Sequence, residues 1–97
     1  MEGNKITKAR SASFFKQYAT NVMTSETDSD VRLYSFNEVI DTEEGKVAIS
    51  DGVMIMTLQA TVLLYEQLKE LIDKWNSEGR AVAVSDMRRE VLKQLKE

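Results

Sequence analysis

The sequence of 97 residues contains no histidine, cysteine or proline. Without cysteine there is no disulfide, thiolate nucleophile or iron–sulfur ligand, and without histidine there is no imidazole base and no ordinary zinc or haem site. Catalysis is left to Asp, Glu, Lys and Tyr, which need a water-poor pocket to shift their pKa values. A chain this short rarely encloses such a pocket, so we expect a non-enzymatic protein without cofactor or metal.

Long apolar runs are also missing. No run approaches the ~18 residues that a membrane-spanning helix needs, and the N-terminus lacks an apolar signal region. The expectation is a cytoplasmic protein that does not enter a membrane. A single domain is all that this length accommodates.

The charge is unevenly distributed along the chain. Residues 1–20 carry a net charge of +3, residues 21–60 carry −6, and residues 61–97 contain seven basic and seven acidic side chains. The basic and acidic segments could attract one another between protomers, or the basic segment could contact nucleic acid. The simpler interpretation is that both segments are solvated.

The pattern predicts a flexible basic arm at residues 1–12, a core of sheet and helix at residues 13–80 and a C-terminal extension at residues 81–97. The fold class is α+β, with an antiparallel meander of three to four strands followed by a long amphipathic helix and a short C-terminal helix. The strand-like segments are residues 18–24, 31–37, 46–49 and 53–56. The second of them continues towards a turn at Glu44 and Gly45.

The helical period of 3.6 begins after Thr57. Thr57 is placed to cap the helix, and Gly79 is placed to end it in the left-handed conformation. Ser85 and Asp86 begin a second helix, which is too short to be stable alone and must dock or fray. The apolar stripe of the long helix comprises Leu58, Val62, Tyr65, Leu68, Ile72 and Trp75.

Apolar and aromatic side chains exceed what one helix against one side of a small sheet has to cover. The strand at residues 31–37 is apolar on both faces, so it needs two covers, such as a helix and another subunit. The surplus either joins one core or forms a two-fold interface between protomers, and we favour the interface. The candidate interface residues are Phe14, Phe15, Tyr34, Phe36, Met54, Met56 and Trp75.

Two acidic clusters resemble metal sites only superficially. Asp28 and Asp30 open like a calcium loop, but Arg32 and Leu33 stand where a further ligand and the glycine belong. The carboxylates of residues 41, 43 and 44 lie on the predicted turn, where solvent screens them.

A nucleic-acid surface is the alternative from a different class. The basic flank of the last helix and the basic arm could together bind phosphates, although acidic residues are interleaved with them and the pI is low, at about 5.0. The candidate contacts are Lys5, Lys8, Arg10, Arg88, Arg89 and Lys93.

Short motifs over residues 18–79 resemble a family of small bacterial and archaeal proteins, domain-of-unknown-function family number 3467. Tyr18-Ala19-Thr20 is similar to the family's opening motif, and residues 30–36 and 55–64 are similar to its central motif and its helix entry. The family pattern has proline where this chain has Leu58. The resemblance implies a sheet followed by a long helix, with no catalytic residues. The layout is also loosely similar to that of the SecB export chaperones, which form oligomers that bind unfolded chains.

From these patterns we expect a homo-oligomeric protein-binding or chaperone-like module, as a homodimer or a higher oligomer. A second protein is a further candidate partner. The nucleic-acid-associated regulator stands as the alternative.

Overall fold

The computed structural model describes residues 5–97, apart from the side chain of Glu38. Its elements are β1 (Asn21–Glu26), β2 (Asp30–Thr42), β3 (Gly45–Thr57), α1 (Leu58–Ser77) and α2 (Asp86–Leu95). The strands form one antiparallel sheet in the order β1-β2-β3. The predicted α+β meander with a long and a short helix is confirmed.

The pairing of β2 with β3 is the longest ladder of the sheet. It ends at a tight turn where Thr42 pairs with Gly45, whose φ of +128° lies in the region that favours glycine. The register shifts twice near the middle of the ladder, which leaves Asp51 and Asn37 without ladder partners. The Asn37 amide nitrogen donates to the Asp51 carboxylate and so links the two bulged residues, whereas the buried Asn37 Oδ1 has no hydrogen-bond partner. The two strands predicted at residues 46–49 and 53–56 are therefore one strand with a bulge.

The first strand begins three residues later than predicted, at Asn21 rather than at Tyr18. Its register starts with Asn21 opposite Phe36, and the hydroxyl of Thr20 donates to the carbonyls of Phe36 and Asn37. These bonds end the pairing at Thr20, so Tyr18 lies outside the sheet. Residues 5–19 form neither helix nor strand, and the first four residues of the predicted arm lie outside the described part of the chain.

The long helix begins and ends as predicted. The hydroxyl of Thr57 accepts from the amide of Ala60 at 3.1 Å, which satisfies one of the free donors of the first turn. Gly79 follows the helix with a φ of +73°. The helix contacts β3 and, to a lesser extent, β2.

The short helix is docked rather than isolated. The Ser85 hydroxyl caps it by accepting from the amide of Arg88 at 3.3 Å. The helix lies against β1, and the guanidinium of Arg88 donates to the carbonyl of Thr20 at 2.9 Å. A helix of 10 residues is marginal in water, so its helicity depends on this contact.

The chain is far more extended than a self-contained domain. Its radius of gyration is 17.1 Å, whereas a compact domain of this length has a value of about 12.5 Å. Among the described residues no apolar side chain is buried, and the one buried polar residue is Ser35 at 7% exposure.

Removing the helix cap tests the assignment of α1. Thr57→Ala should lower the free energy of unfolding by about 1 kcal/mol, because the amide of Ala60 loses its acceptor. Urea unfolding at one fixed protein concentration measures this difference. Thr57→Ser keeps the hydroxyl oxygen, so its free energy of unfolding should be close to that of the unaltered chain. Equal effects of the two substitutions would show that the cap does not stabilise the helix.

Candidate protein-interaction surfaces

The solvent-accessible surface of the chain is larger than that of a typical folded monomer of its mass. It amounts to 8865 Å², whereas a folded monomer of 11.0 kDa exposes about 5,600 Å². The excess of roughly 3,200 Å² per chain exceeds the ~800 Å² that each partner contributes to a standard interface. Part of this excess comes from residues 5–19, and much of the rest is apolar surface on α1 and β3.

The seven predicted interface residues do not gather in one core. Phe14, Phe15 and Met54 are exposed, with Phe15 at 72% and Met54 at 60%. Of the interpretations open at the level of sequence, a single core holding all seven residues is therefore wrong for the isolated chain. The other members are half-buried, namely Tyr34 and Phe36 on β2, Met56 on β3 and Trp75 on α1.

The apolar stripe of α1 is incompletely covered by the chain's own sheet. Leu68, near the middle of the stripe, is 47% exposed, and no residue of α1 is buried. A helix gains stability mainly by packing such a stripe, so a half-exposed stripe lacks part of its cover. The other large side chains of the stripe that remain exposed are Leu58, Val62, Tyr65 and Ile72.

A groove lies between α2 and the sheet. It encloses about 620 Å³ and is lined by Phe36, Val39 and Ala48 of the sheet and by Met87, Val91 and Leu95 of α2. The sequence predicts the stripe of α2, but not that this stripe covers the Phe36 side of β2. This contact between α2 and β2 joins residues about fifty positions apart, so no local sequence pattern can predict it.

The segment before β1 is fixed on the other side of β2. The amide of Gln17 donates to the hydroxyl of Ser35 at 2.7 Å. A Cβ atom at Gly52 would come within 3.1 Å of the Gln17 amide nitrogen, so glycine leaves room for this side chain. Sequence reasoning missed Gln17, because a lone glutamine in a polar segment carries no pattern.

β3 is an edge strand of the described sheet, with β2 as its neighbour on one side. Edge strands present unpaired backbone groups that can pair with another chain. Val53, Met54 and Ile55 are exposed on this strand. The edge therefore offers apolar side chains as well as backbone hydrogen-bonding groups.

The six candidate nucleic-acid contacts are all exposed, and two of them also contact their own chain. Arg88 donates to the carbonyl of Thr20, and the guanidinium of Arg10 lies 4.5 Å from the ring centroid of Phe14. The other four are Lys5, Lys8, Arg89 and Lys93.

The acidic turn carries an ordinary surface ion pair. Lys46 Nζ lies 3.0 Å from Asp41, and both side chains are exposed. Within residues 5–97, leaving the side chain of Glu38 aside, no three carboxylates are close enough to hold a metal ion. Elsewhere, Lys69 Nζ on α1 donates a hydrogen bond to the Asp73 carboxylate, and this bond together with the negative charge of Asp73 raises the pKa of Lys69.

Comparisons with models of protein families, with curated proteins and with solved structures found no match to this chain. The resemblance to family number 3467 therefore stays a prediction. None of the helices in the described residues is both long enough and apolar enough to cross a membrane.

The docking of α2 can be tested at Arg88. Arg88→Ala removes the hydrogen bond to Thr20, so the amides of α2 should exchange with solvent roughly fivefold faster. This rate change corresponds to a decrease of about 1 kcal/mol in the free energy of opening of α2. Hydrogen exchange followed by mass spectrometry measures the change. Arg89→Ala removes the same charge one position further on and should leave the exchange unaltered. Equal acceleration by both variants would mean that α2 is not held through Arg88.

Proposed function

We propose that this chain is a non-enzymatic, homo-oligomeric module that acts by binding protein. The observation that carries the proposal is the absence of a buried apolar side chain among the described residues, together with 22 exposed large apolar side chains. Burial of apolar surface is the dominant favourable term in folding, and here a second chain supplies the missing part of it. The excess surface corresponds to an obligate rather than a transient interface.

The composition of the exposed surface supports protein as the ligand. Methionine side chains adapt to different partners, and Met54 and Met87 are exposed on β3 and α2 respectively. Exposed apolar patches beside a free strand edge can hold extended, unfolded segments, so we include chaperone-like binding in the proposal. A chain without cysteine has no disulfides to lose in a reducing compartment, which supports a cytoplasmic location.

Binding to nucleic acid is the weaker alternative. Arg88 is engaged with Thr20, and acidic residues alternate with basic ones along α2. Phosphate binding by several free cations gives an affinity that falls steeply with salt. Titration of fluorescent single-stranded and duplex DNA at two salt concentrations separates the two functions. Salt-sensitive binding of DNA by a monomeric protein would favour the regulator instead.

The stripe of α1 is the first surface to test for self-association. Leu68→Glu places a charge on the half-exposed stripe and should raise the dissociation constant of the oligomer at least about tenfold, because a buried leucine contributes about 1.5–3 kcal/mol. Sedimentation equilibrium of the full chain from about 1 to 100 μM measures the constant.

Gln67→Glu adds the same charge to the neighbouring residue of α1, outside the stripe, and serves as the matched control. Its dissociation constant should equal that of the unaltered chain. A monomeric unaltered chain at 100 μM would contradict the proposed oligomer. Equal weakening by both variants would show that association does not use the stripe.

A further inference from the structure

The segment of residues 5–19, called here the arm, combines two kinds of side chain. It contains four basic residues and no acidic one. It also exposes aromatic rings, among them Phe15 at 72% and Tyr18 at 80%. In the described part of the chain, no cation of the arm lies within 4 Å of a carboxylate. The cations of the arm thus have no ion-pair partner among the described residues and its aromatic rings are exposed, while Arg10 lies over the ring of Phe14 within the arm itself.

Residues 38–51, called here the hairpin tip, have the complementary composition. They contain five acidic residues and one lysine, a net charge of −4 against +4 for the arm. Ile40 pairs with Val47, and Ile49 follows two residues along the same strand, so these three side chains share one face of the tip. All three are exposed. This uncovered face is apolar and is bordered by acidic residues of the turn.

The other face of the hairpin tip borders the groove under α2. Val39 and Ala48, which pair with each other, line the groove under α2. Phe36 lines the same groove, so the adjacent Ser35 points to the opposite face of the sheet. Since Gln17 bonds Ser35, the arm leaves the sheet on the side where the tip is uncovered.

The arm does not fold back onto its own tip. Its chain makes a turn in which the amide of Phe14 donates to the carbonyl of Ser11 at 3.1 Å. Arg10 lies over the ring of Phe14 within the same turn, and both aromatic residues of this turn remain exposed. The uncovered face of the tip is thus available to an arm from another chain.

We propose that the arm of one chain binds the uncovered face of the hairpin tip of a second copy, and that the exchange is reciprocal about a two-fold axis. The aromatic side chains of the arm lie on Ile40, Val47 and Ile49, and its basic side chains face the acidic border. Each chain carries one arm and one hairpin tip. Reciprocal exchange between two chains therefore uses both arms and both tips and gives a closed dimer. This inference rests on the proposed homo-oligomer and names one of its contacts.

Charge reversal separates the arm from the rest of the interface. The arm variant combines Lys8→Glu, Arg10→Glu and Lys16→Glu, and the tip variant combines Glu43→Lys and Glu44→Lys. Each should dimerise at least about tenfold more weakly than the unaltered chain in sedimentation equilibrium at low salt. A control on α2, Lys93→Glu with Lys96→Glu, should leave the dissociation constant unchanged. Circular dichroism verifies that the helix content is retained, since the arm contains no helix or strand.

Mixing the two variants tests whether the arm is exchanged between chains. In a mixed dimer the unaltered arm of one chain meets the unaltered tip of the other, so the mixture should associate more tightly than either variant alone. If the mixture associates no more tightly than the single variants, the arm is not exchanged between chains and docks within its own chain instead. Unchanged dimerisation of the arm variant would overturn the arm contact while leaving the oligomer intact, and a monomeric unaltered chain would overturn the oligomer itself.

Discussion

All other elements of the chain are attached to the antiparallel ladder between β2 and β3. The ladder is 13 residues long on each strand and carries α1 directly at its end, after Thr57. β1 and the groove under α2 lie beside its central part, and Gln17 fixes the arm on its other face. A ladder of this kind is stabilised by packing on its faces more than by its hydrogen bonds, so what covers those faces decides whether the fold is stable.

Both faces of the ladder are only partly covered. α2 lies over the face of Phe36 but leaves Val39 exposed, and Gln17 lies over Ser35 on the opposite face, where Ile40, Val47 and Ile49 are exposed. Two-stranded ribbons have marginal stability in water without a hydrophobic cover. The extended shape, the half-exposed stripe of α1 and the uncovered hairpin tip therefore have one physical cause, which is a sheet and helices whose apolar surfaces exceed what one chain can bury against itself.

The sequence predicts the local features of this fold well and the long-range ones poorly. The cap at Thr57, the end at Gly79 and the second helix start at Ser85 depend on side chains within a few residues, and the structure confirms all three. The predicted start of β1 is wrong by three residues, because hydrogen bonds from Thr20 to β2 stop the strand pairing there. The docking of α2 and the role of Gln17 likewise depend on tertiary contacts, which leave no periodic signal.

The lack of histidine, cysteine and proline connects these observations. A chain of this size without disulfides or a structural metal depends on apolar burial, and its own burial is insufficient here. Without such cross-links, further stabilisation has to come from additional contact area, which the proposed second copy would supply. In the proposed dimer, a net charge of +4 on the arm and −4 on the hairpin tip favours one orientation of the two copies over others, which apolar surfaces alone would not distinguish.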